Sequence, residues 1–273
     1  MPELPEIETV RRSLLPRLVG RRIEAAVVRE RRLRRPIPPD FAARVVGQRI
    51  EAISRRAKYL LFHLSRGDCM LAHLGMSGAL LVRATGKAPQ CHDHVCMRLT
   101  GRIELVLNDP RRFGLLAVAR AEAVAELPEL QRLGPDPLDP GLSTAALYAS
   151  IHRSRRALKN LLLDQAVLAG VGNIYASEAL FRAGIRPTRR GNRVRLAEVA
   201  PLLQAIRAVL AEAIAAGGSS ISDYRDGNGR PGSFQLRFCA YDRAGQPCRK
   251  CGAVIRRVVQ TGRSSFYCPA CQR

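Results

Sequence analysis

Tryptophan is absent from the 273 residues, and aromatic side chains of all kinds make up only 5%. A protein that grips single strands by stacking many bases needs more rings than that, so this class is excluded. No apolar run approaches the roughly eighteen residues that cross a bilayer, and the amino terminus lacks the apolar core of a secretion signal. A cytoplasmic chain with no membrane partner is expected from those two absences. Acidic side chains are also scarce: 23 Asp and Glu face 45 Lys and Arg, a formal charge of +22. Such an excess repels itself unless a polyanion is at hand, and nucleic acid rewards it through counterion release. Charge alone leaves a membrane surface or a ribosomal role open. The hydrophobic content of 47% is ample for a core, and the length predicts two or three domains.

The amino terminus, Met1-Pro2-Glu3-Leu4-Pro5-Glu6-Ile7-Glu8, carries unusual chemistry. A small residue after Met1 allows removal of the initiator, which leaves Pro2 as a secondary amine able to attack an electrophilic carbon and form an iminium. An ordinary α-amino group has a pKa of roughly 7.7–8.0, so part of it is unprotonated near neutrality. Glu3, Glu6 and Glu8 complement the positive end of the helix that begins here. That positive end also disfavours a protonated ammonium. Taken by themselves, these residues fit a helix start, with prolines and acids present for capping, better than they fit a nucleophile.

Apolar residues at 7, 10, 14, 15 and 18 predict a helix over 6–19, closed by Gly20. Ten arginines follow between residues 11 and 35, several alternating with β-formers near 23–28. From 44 to 120 short strands alternate with turns, predicting a β-sandwich or barrel, with Thr100-Gly101 as a hairpin turn. Proline and glycine at 127–141 mark a linker, after which helical periodicity predicts helices near 143–152, 155–168, 173–183 and 196–216. The Gly-, Ser- and Asp-rich loop at 217–233 has a composition that predicts mobility. There is no internal repeat.

Cys248-x2-Cys251-x16-Cys268-x2-Cys271 is the most specific chemical signal. Each pair turns tightly enough to offer two thiolates, the intervening residues make a hairpin, and four thiolates suit one structural zinc ion. Two disulfides or free thiols are the alternatives, and a reducing compartment disfavours the disulfides. Arg249, Lys250, Arg256, Arg257 and Arg263 make the hairpin basic, hence a nucleic-acid contact. In Cys91-His92-Asp93-His94-x-Cys96 neighbouring side chains point to opposite faces of a strand and converge poorly, so a loop histidine beside phosphate is the better reading. Leu168-Ala169-Gly170-Val171-Gly172-Asn173-Ile174 joins two helices through a glycine turn, a ready phosphate site with Asn173 adding an amide. Arg153-Ser154-Arg155-Arg156 reads as a solvated charge run unless it lies beside that turn.

Seven separated stretches together resemble bacterial formamidopyrimidine-DNA glycosylase, also called 8-oxoguanine DNA glycosylase. They are PELPEIET at 2–9, RRAKYLL at 55–61, HLGMSG at 73–78, HDHV at 92–95, NDPRRFG at 108–114, GVGNIYASEALF at 170–181 and the terminal GRSSFYCPACQR. The resemblance runs end to end in the family's order. It implies an α+β multidomain fold: an N-terminal β-sandwich with flanking helices (1–132), a helix–two-turn–helix DNA-binding domain (133–234) and a C-terminal β-hairpin zinc finger (235–273). DNA is expected in a cleft between the halves. The implied activity is that of a monomeric base-excision-repair glycosylase and apurinic/apyrimidinic lyase for oxidised purines in double-stranded DNA. One structural zinc is implied, and no redox or nucleotide cofactor.

Carried over by position, Pro2 is the implied nucleophile at C1′ and forms the Schiff base, while Glu3 protonates the sugar ring oxygen and shuttles protons. Lys58 is implied to assist β-elimination, and Arg263 to support δ-elimination and grip the flanking phosphate. His73 and Asn173 are implied to touch phosphate, and His92 and Arg111 to contact DNA. Ser154 stands where relatives can have lysine, with Arg153 or Arg155 as substitutes. An enzyme that works on a base must extrude it. Met76, Arg111 and Phe113 match the family's side chains that fill the vacated stack, although Met76 and Phe113 alone would read as core. The loop Ser219–Gly229 matches the segment that closes over the extruded base. Asn160 replaces a proline of some relatives, and Cys69, Cys91, Cys96 and Cys239 lie outside the zinc set. Two alternatives stand beside this reading. One is an endonuclease VIII-type glycosylase for oxidised pyrimidines, disfavoured by the Pro-Glu-Leu-Pro start and the Arg-Arg-Phe-Gly stretch. The other is a non-catalytic zinc-ribbon nucleic-acid binder.

Overall fold

A computed structural model describes residues 1–220 and 224–273. The chain divides into two compact units, Met1–Gln131 with Ala216–Ser233, and Arg132–Ala215 with Phe234–Arg273. The cysteine module thus belongs to one body with the helical region, whereas 216–233 packs into the first unit.

The first unit begins with α1 (Leu4–Leu18), β1 (Ile23–Val28) and a short α2 (Phe41–Val45). Next come β2 (Ile50–Arg56), β3 (Tyr59–Leu64), β4 (Asp68–His73), β5 (Ala79–Ala84), β6 (Asp93–Leu99), β7 (Ile103–Asn108) and β8 (Leu115–Arg120). A 3-10 segment at Ala121–Glu126 and α3 (Pro128–Gln131) follow. The strands make two four-stranded antiparallel sheets, ordered β1-β6-β7-β5 and β2-β3-β4-β8. Their inner faces share one core: Leu60, Phe62 and Met70 from one sheet meet Val95, Met97 and Leu105 from the other. Ile7, Val10, Leu14 and Leu18 of α1 enter the same core, each contributing about 1.5–3 kcal/mol by burial. The sandwich expected from the strand pattern is therefore present. At the β6–β7 hairpin the turn is made with positive φ at Gly101 (86°) and Arg102 (57°), which puts glycine where a side chain would be strained.

The second unit contains α4 (Thr144–His152), α5 (Leu158–Leu163), α6 (Asn173–Arg182) and α7 (Leu196–Ala215), then the hairpin β9 (Arg256–Gln260) and β10 (Arg263–Tyr267). Ser143 caps α4 by accepting from the Ala146 amide at 3.1 Å. Val199, Leu202, Leu203, Ile206, Val209, Leu210 and Ala213 give α7 one buried stripe at helical spacing. The helix expected over 155–168 is shorter than its apolar pattern. Ala157 lies in an extended bridge to Arg190, and Asp164 ends the helix by accepting from the Ala166 amide at 3.1 Å while pairing with Arg156 at 2.7 Å. The side chain of Asp164 thus competes with the helical backbone for its donors. Among the described residues, no helix is long and apolar enough to cross a membrane.

Candidate active site and nucleic-acid interface

Pro2 and Glu3 are both buried at the start of α1. Glu3 is the N-cap of a capping box, with the Glu6 carboxylate accepting from the Glu3 amide at 2.8 Å. The other Glu6 oxygen accepts from the Ser219 amide, also at 2.8 Å. Glu8 serves otherwise than as a charge for the helix end. Burial alone would lift its carboxyl, but hydrogen bonds from Arg11 and Arg12 and the charge of Arg55 bring it to about 2. The terminal nitrogen sits on Met1. Burial lowers its pKa, with Lys58 and Arg111 pushing the same way and Glu3 and Glu6 opposing. All four groups therefore act electrostatically on the amino terminus.

Lys58 is 5% exposed, in the β2–β3 turn after Ala57, whose φ is +53°. His73 ends β4 with its ring centroid 4.8 Å from that of Tyr59. Its Nδ1 accepts from the Gly75 amide at 2.9 Å, which puts the proton of the neutral ring on Nε2. Burial, then the charges of Lys58 and Arg34, hold its pKa down to about 4. His73 is thus a neutral donor at physiological pH.

Met76 and Phe113 are each 42% exposed, so neither is a core residue. They stand on two loops, and the Arg111 guanidinium lies 4.9 Å from the centroid of the Phe113 ring. His92 is exposed with φ +68°. His94 beside it is buried and donates from Nε2 to the Asp109 carbonyl at 2.8 Å. Asp93 is tied to Asn108, to the Gln90 amide and to Arg83. These three residues therefore hold a loop, and Cys91 and Cys96 join no metal-competent group among the described residues.

Of the loop Ser219–Gly229, residues 221–223 lie outside the described residues. The rest runs along α1 and β5. The Tyr224 hydroxyl donates to the Glu6 carbonyl at 3.1 Å, the Gly227 amide to Ser13 Oγ at 2.9 Å, and the Val82 amide to the Gly227 carbonyl at 3.2 Å.

In the second unit the four Sγ atoms of Cys248, Cys251, Cys268 and Cys271 lie within 4.8 Å of one another. The Cys248–Cys271 and Cys251–Cys268 separations are 4.0 and 3.4 Å. A tetrahedral ion with Zn–S bonds of about 2.3 Å spaces its sulfurs by about 3.8 Å, so the set fits one structural zinc. Arg263 is exposed at the start of β10, after a turn with positive φ at Thr261 and Gly262. It borders a cleft of about 390 Å3 with Arg156, Asn160, Asp164 and Thr261. The fully buried Lys159 fastens this turn, donating to the Ser264 carbonyl at 2.7 Å and to Ser265 Oγ at 2.8 Å.

Asn173 opens α6, and its Oδ1 is buried without a hydrogen-bond partner among the described residues. Gln165 shapes the glycine turn before it, accepting from the Gly170 amide and donating to the Val171 carbonyl, both at 2.9 Å. Arg153 and Arg155 are exposed after α4, and Ser154 Oγ accepts from the Arg156 amide at 3.2 Å. Three residues outside the sequence-based set hold these parts in place: Glu6, Lys159 and Glu178, whose carboxylate accepts from the Cys239, Ala240 and Tyr241 amides. Only Glu6 had a readable signal, the i to i+3 acid pair of a capping box. The partners of the other two are distant in the chain.

The Formamidopyrimidine-DNA glycosylase N-terminal domain matches residues 1–116, the H2TH domain of the same protein matches 133–225, and a zinc finger found in FPG and IleRS matches 245–273. A formamidopyrimidine-DNA glycosylase of Thiobacillus denitrificans is 49% identical over 273 residues, covering all of both chains. The crystal structure of the Thermus thermophilus MutM (Fpg) protein superposes with a TM-score of 0.89 at 43% identity, over 99% of this chain and 98% of that one. A mutant Lactococcus lactis Fpg in complex with DNA containing Fapy-dG gives a TM-score of 0.92 at 32% identity over all of both chains. The chain belongs to the formamidopyrimidine-DNA glycosylase family.

Proposed function

We propose that the protein excises oxidised purines, 8-oxoguanine and formamidopyrimidines, from duplex DNA and then cuts the strand as an apurinic/apyrimidinic lyase. The observation that carries the reading is the amino terminus: a buried Pro2-Glu3 pair next to a Met1 terminal nitrogen that feels Lys58 and Arg111. Met1 is 46% exposed, and its removal would free the Pro2 amine. The surroundings that disfavour an ammonium on Met1 then favour the neutral, nucleophilic form on Pro2.

The Pro2 lone pair attacks C1′, the bond from C1′ to the damaged base breaks, and the base leaves with the electron pair and takes up a proton. Glu3 donates a proton to the ring oxygen as the sugar opens to an iminium. The iminium draws electrons from C2′, so loss of the C2′ proton expels the 3′-phosphate, and a second elimination expels the 5′-phosphate. Water then hydrolyses the imine and regenerates the amine. Lys58 and Arg263 stabilise the charge that develops on the departing phosphates. His73, as a neutral Nε2–H donor, joins His92, Asn173, Arg153, Ser154 and Arg155 in positioning the backbone. Met76, Arg111 and Phe113 fill the gap left by the extruded nucleotide, a role supported by the exposure of both apolar side chains. Bound zinc supplies no chemistry to these steps; the four cysteines would fix the hairpin that carries Arg263.

The test is borohydride trapping on a duplex with one 8-oxoguanine opposite cytosine, using wild type, Pro2→Gly and a form with a blocked amine. The expected adduct maps to Pro2 and disappears when the amine is blocked, whereas Pro2→Gly, which keeps a primary α-amine, can carry an adduct only at residue 2. An adduct on Lys58 would move the nucleophile. Salt-sensitive binding with neither adduct nor cleavage would leave a DNA-binding protein without the activity.

A further inference from the structure

We propose that Asp109 and Ser77 are positioning residues that stitch together the two loops bearing Met76, Arg111 and Phe113, and so set how the protein fills the vacated stack. Asp109 is fully buried. Its Oδ1 accepts from Ser77 Oγ at 2.9 Å, and its Oδ2 accepts from the Gly114 amide at 2.7 Å. Ser77 Oγ in turn accepts from the Arg111 amide at 3.3 Å. One carboxylate and one hydroxyl therefore secure the neighbour of Met76, the neighbour of Phe113 and the backbone of Arg111.

The loops also approach too closely to tolerate slack. Gly75 has φ +61°, and a Cβ there would lie 2.3 Å from the Phe113 carbonyl carbon. Arg112, between Arg111 and Phe113, holds φ +55°, a left-handed conformation that a non-glycine residue keeps only when its surroundings impose it. The Asp109 backbone extends the stitch, donating to the His92 carbonyl at 3.1 Å and accepting from the Arg112 amide at 3.1 Å. None of these groups is aimed at a reacting atom. Their effect is on where the Arg111 fork and the Phe113 ring stand when the duplex arrives.

The inference rests on the reading of those three side chains as stack-fillers. Its test compares wild type, Ser77→Ala, Ser77→Thr and Asp109→Asn on duplexes with 8-oxoguanine opposite cytosine or adenine. 2-Aminopurine beside the lesion reports unstacking. In Ser77→Ala the hydroxyl bridge is lost. Single-turnover excision is expected to fall about tenfold, in keeping with sub-ångström misplacement. Any discrimination the wild type makes between cytosine and adenine opposite the lesion is expected to shrink toward unity, with a weakened 2-aminopurine transient. Ser77→Thr, which keeps the hydroxyl, is expected to restore all three, and Asp109→Asn to move them as Ser77→Ala does. Slower excision with an unchanged opposite-base preference and transient would mark a merely structural role and overturn the inference. So would wild-type values of all three in Ser77→Ala. A wild-type protein that leaves the lesion duplex uncut would overturn the glycosylase reading, and this inference with it.

Discussion

Exchanging Glu178 for glutamine replaces one oxygen by NH2 and is expected to loosen the cysteine module. Glu178, on α6, is fully buried. Its Oε1 accepts from the Ala240 and Tyr241 amides at 2.8 and 2.7 Å, and its Oε2 from the Cys239 amide at 2.9 Å. Ala240 packs in one cluster with Cys248, Cys268, Ile255, Phe266 and Phe181, so the three amides tie the zinc module to the helix. Glutamine can still present one oxygen, but its NH2 must then face a buried N–H. That orphan costs about 1–3 kcal/mol, and the surviving bonds drop from charge-assisted to neutral strength at about 1 kcal/mol each. Relief from burying a charge offsets part of this, leaving a net loss of about 2–3 kcal/mol. At 1.4 kcal/mol per tenfold, the open form is populated roughly 30- to 140-fold more. The assay is the rate at which a zinc-binding dye strips metal from the folded protein, paired with amide exchange at residues 239–241. Faster stripping and exchange by that factor are expected. Zinc release within about twofold of wild type, with exchange unaltered, would refute the assignment of these amides to Glu178.

Two further outcomes follow from buried groups. The pKa of His73, held near 4 against an ordinary 6.5, lies below its unfolded value. Its contribution to stability, on the order of 3 kcal/mol, is therefore complete above pH 6.5 and is lost as pH falls toward 4. Ring resonances followed across that range would contradict this if their midpoint lay at or above 6.5 in the free protein. Lys159→Met removes the two hydrogen bonds to Ser264 and Ser265 but also the burden of an enclosed ammonium, so stability is expected to change by less than about 1 kcal/mol. The turn bearing Arg263 loses its fastening, and the second elimination is expected to slow about tenfold relative to the first. An unchanged ratio of β- to δ-products on a gel would contradict that role.

The sequence made the sandwich strands, the long α7 and the zinc ligands legible because each is a local pattern: alternation, a 3.6-residue stripe, a pair of CxxC turns. Helix ends were less legible. The apolar run after Arg155 continues past the point where Asp164 turns the chain. Met76 and Phe113 illustrate a harder case, since an apolar letter carries no sign of whether it faces core or solvent, and only the motif match separated the two. The long-range partners of the fastening residues were not legible, even where a local signal such as the Glu3–Glu6 capping box was. Glu6 and Ser219 are 213 positions apart, Lys159 and Ser265 106, Glu178 and Ala240 62. Nothing in a local window records which distant amide a carboxylate will meet.

Glu6, Asp109 and Glu178 share one physical logic. In a chain with 23 acids against 45 bases, each of these carboxylates could have been neutralised by arginine, as Glu8 is by Arg11, Arg12 and Arg55. Each accepts from backbone amides: Glu6 from Glu3 and Ser219, Asp109 from Gly114 beside the Ser77 hydroxyl, and Glu178 from Cys239 to Tyr241. A backbone amide fixes a loop more tightly than a flexible arginine does, because the donor has no side-chain rotamers to lose. It also leaves guanidinium groups uncommitted for an incoming polyanion, where released counterions make them effective. The loops so held are the ones bearing Pro2 and Glu3, then Arg111 and Phe113, then the cysteine module with Arg263. A neutral amide in place of any of the three carboxylates should therefore damage loop geometry, and with it excision, while leaving the salt dependence of DNA binding close to wild type. Loss of a phosphate-contacting arginine should do the reverse and lower the salt slope by about one.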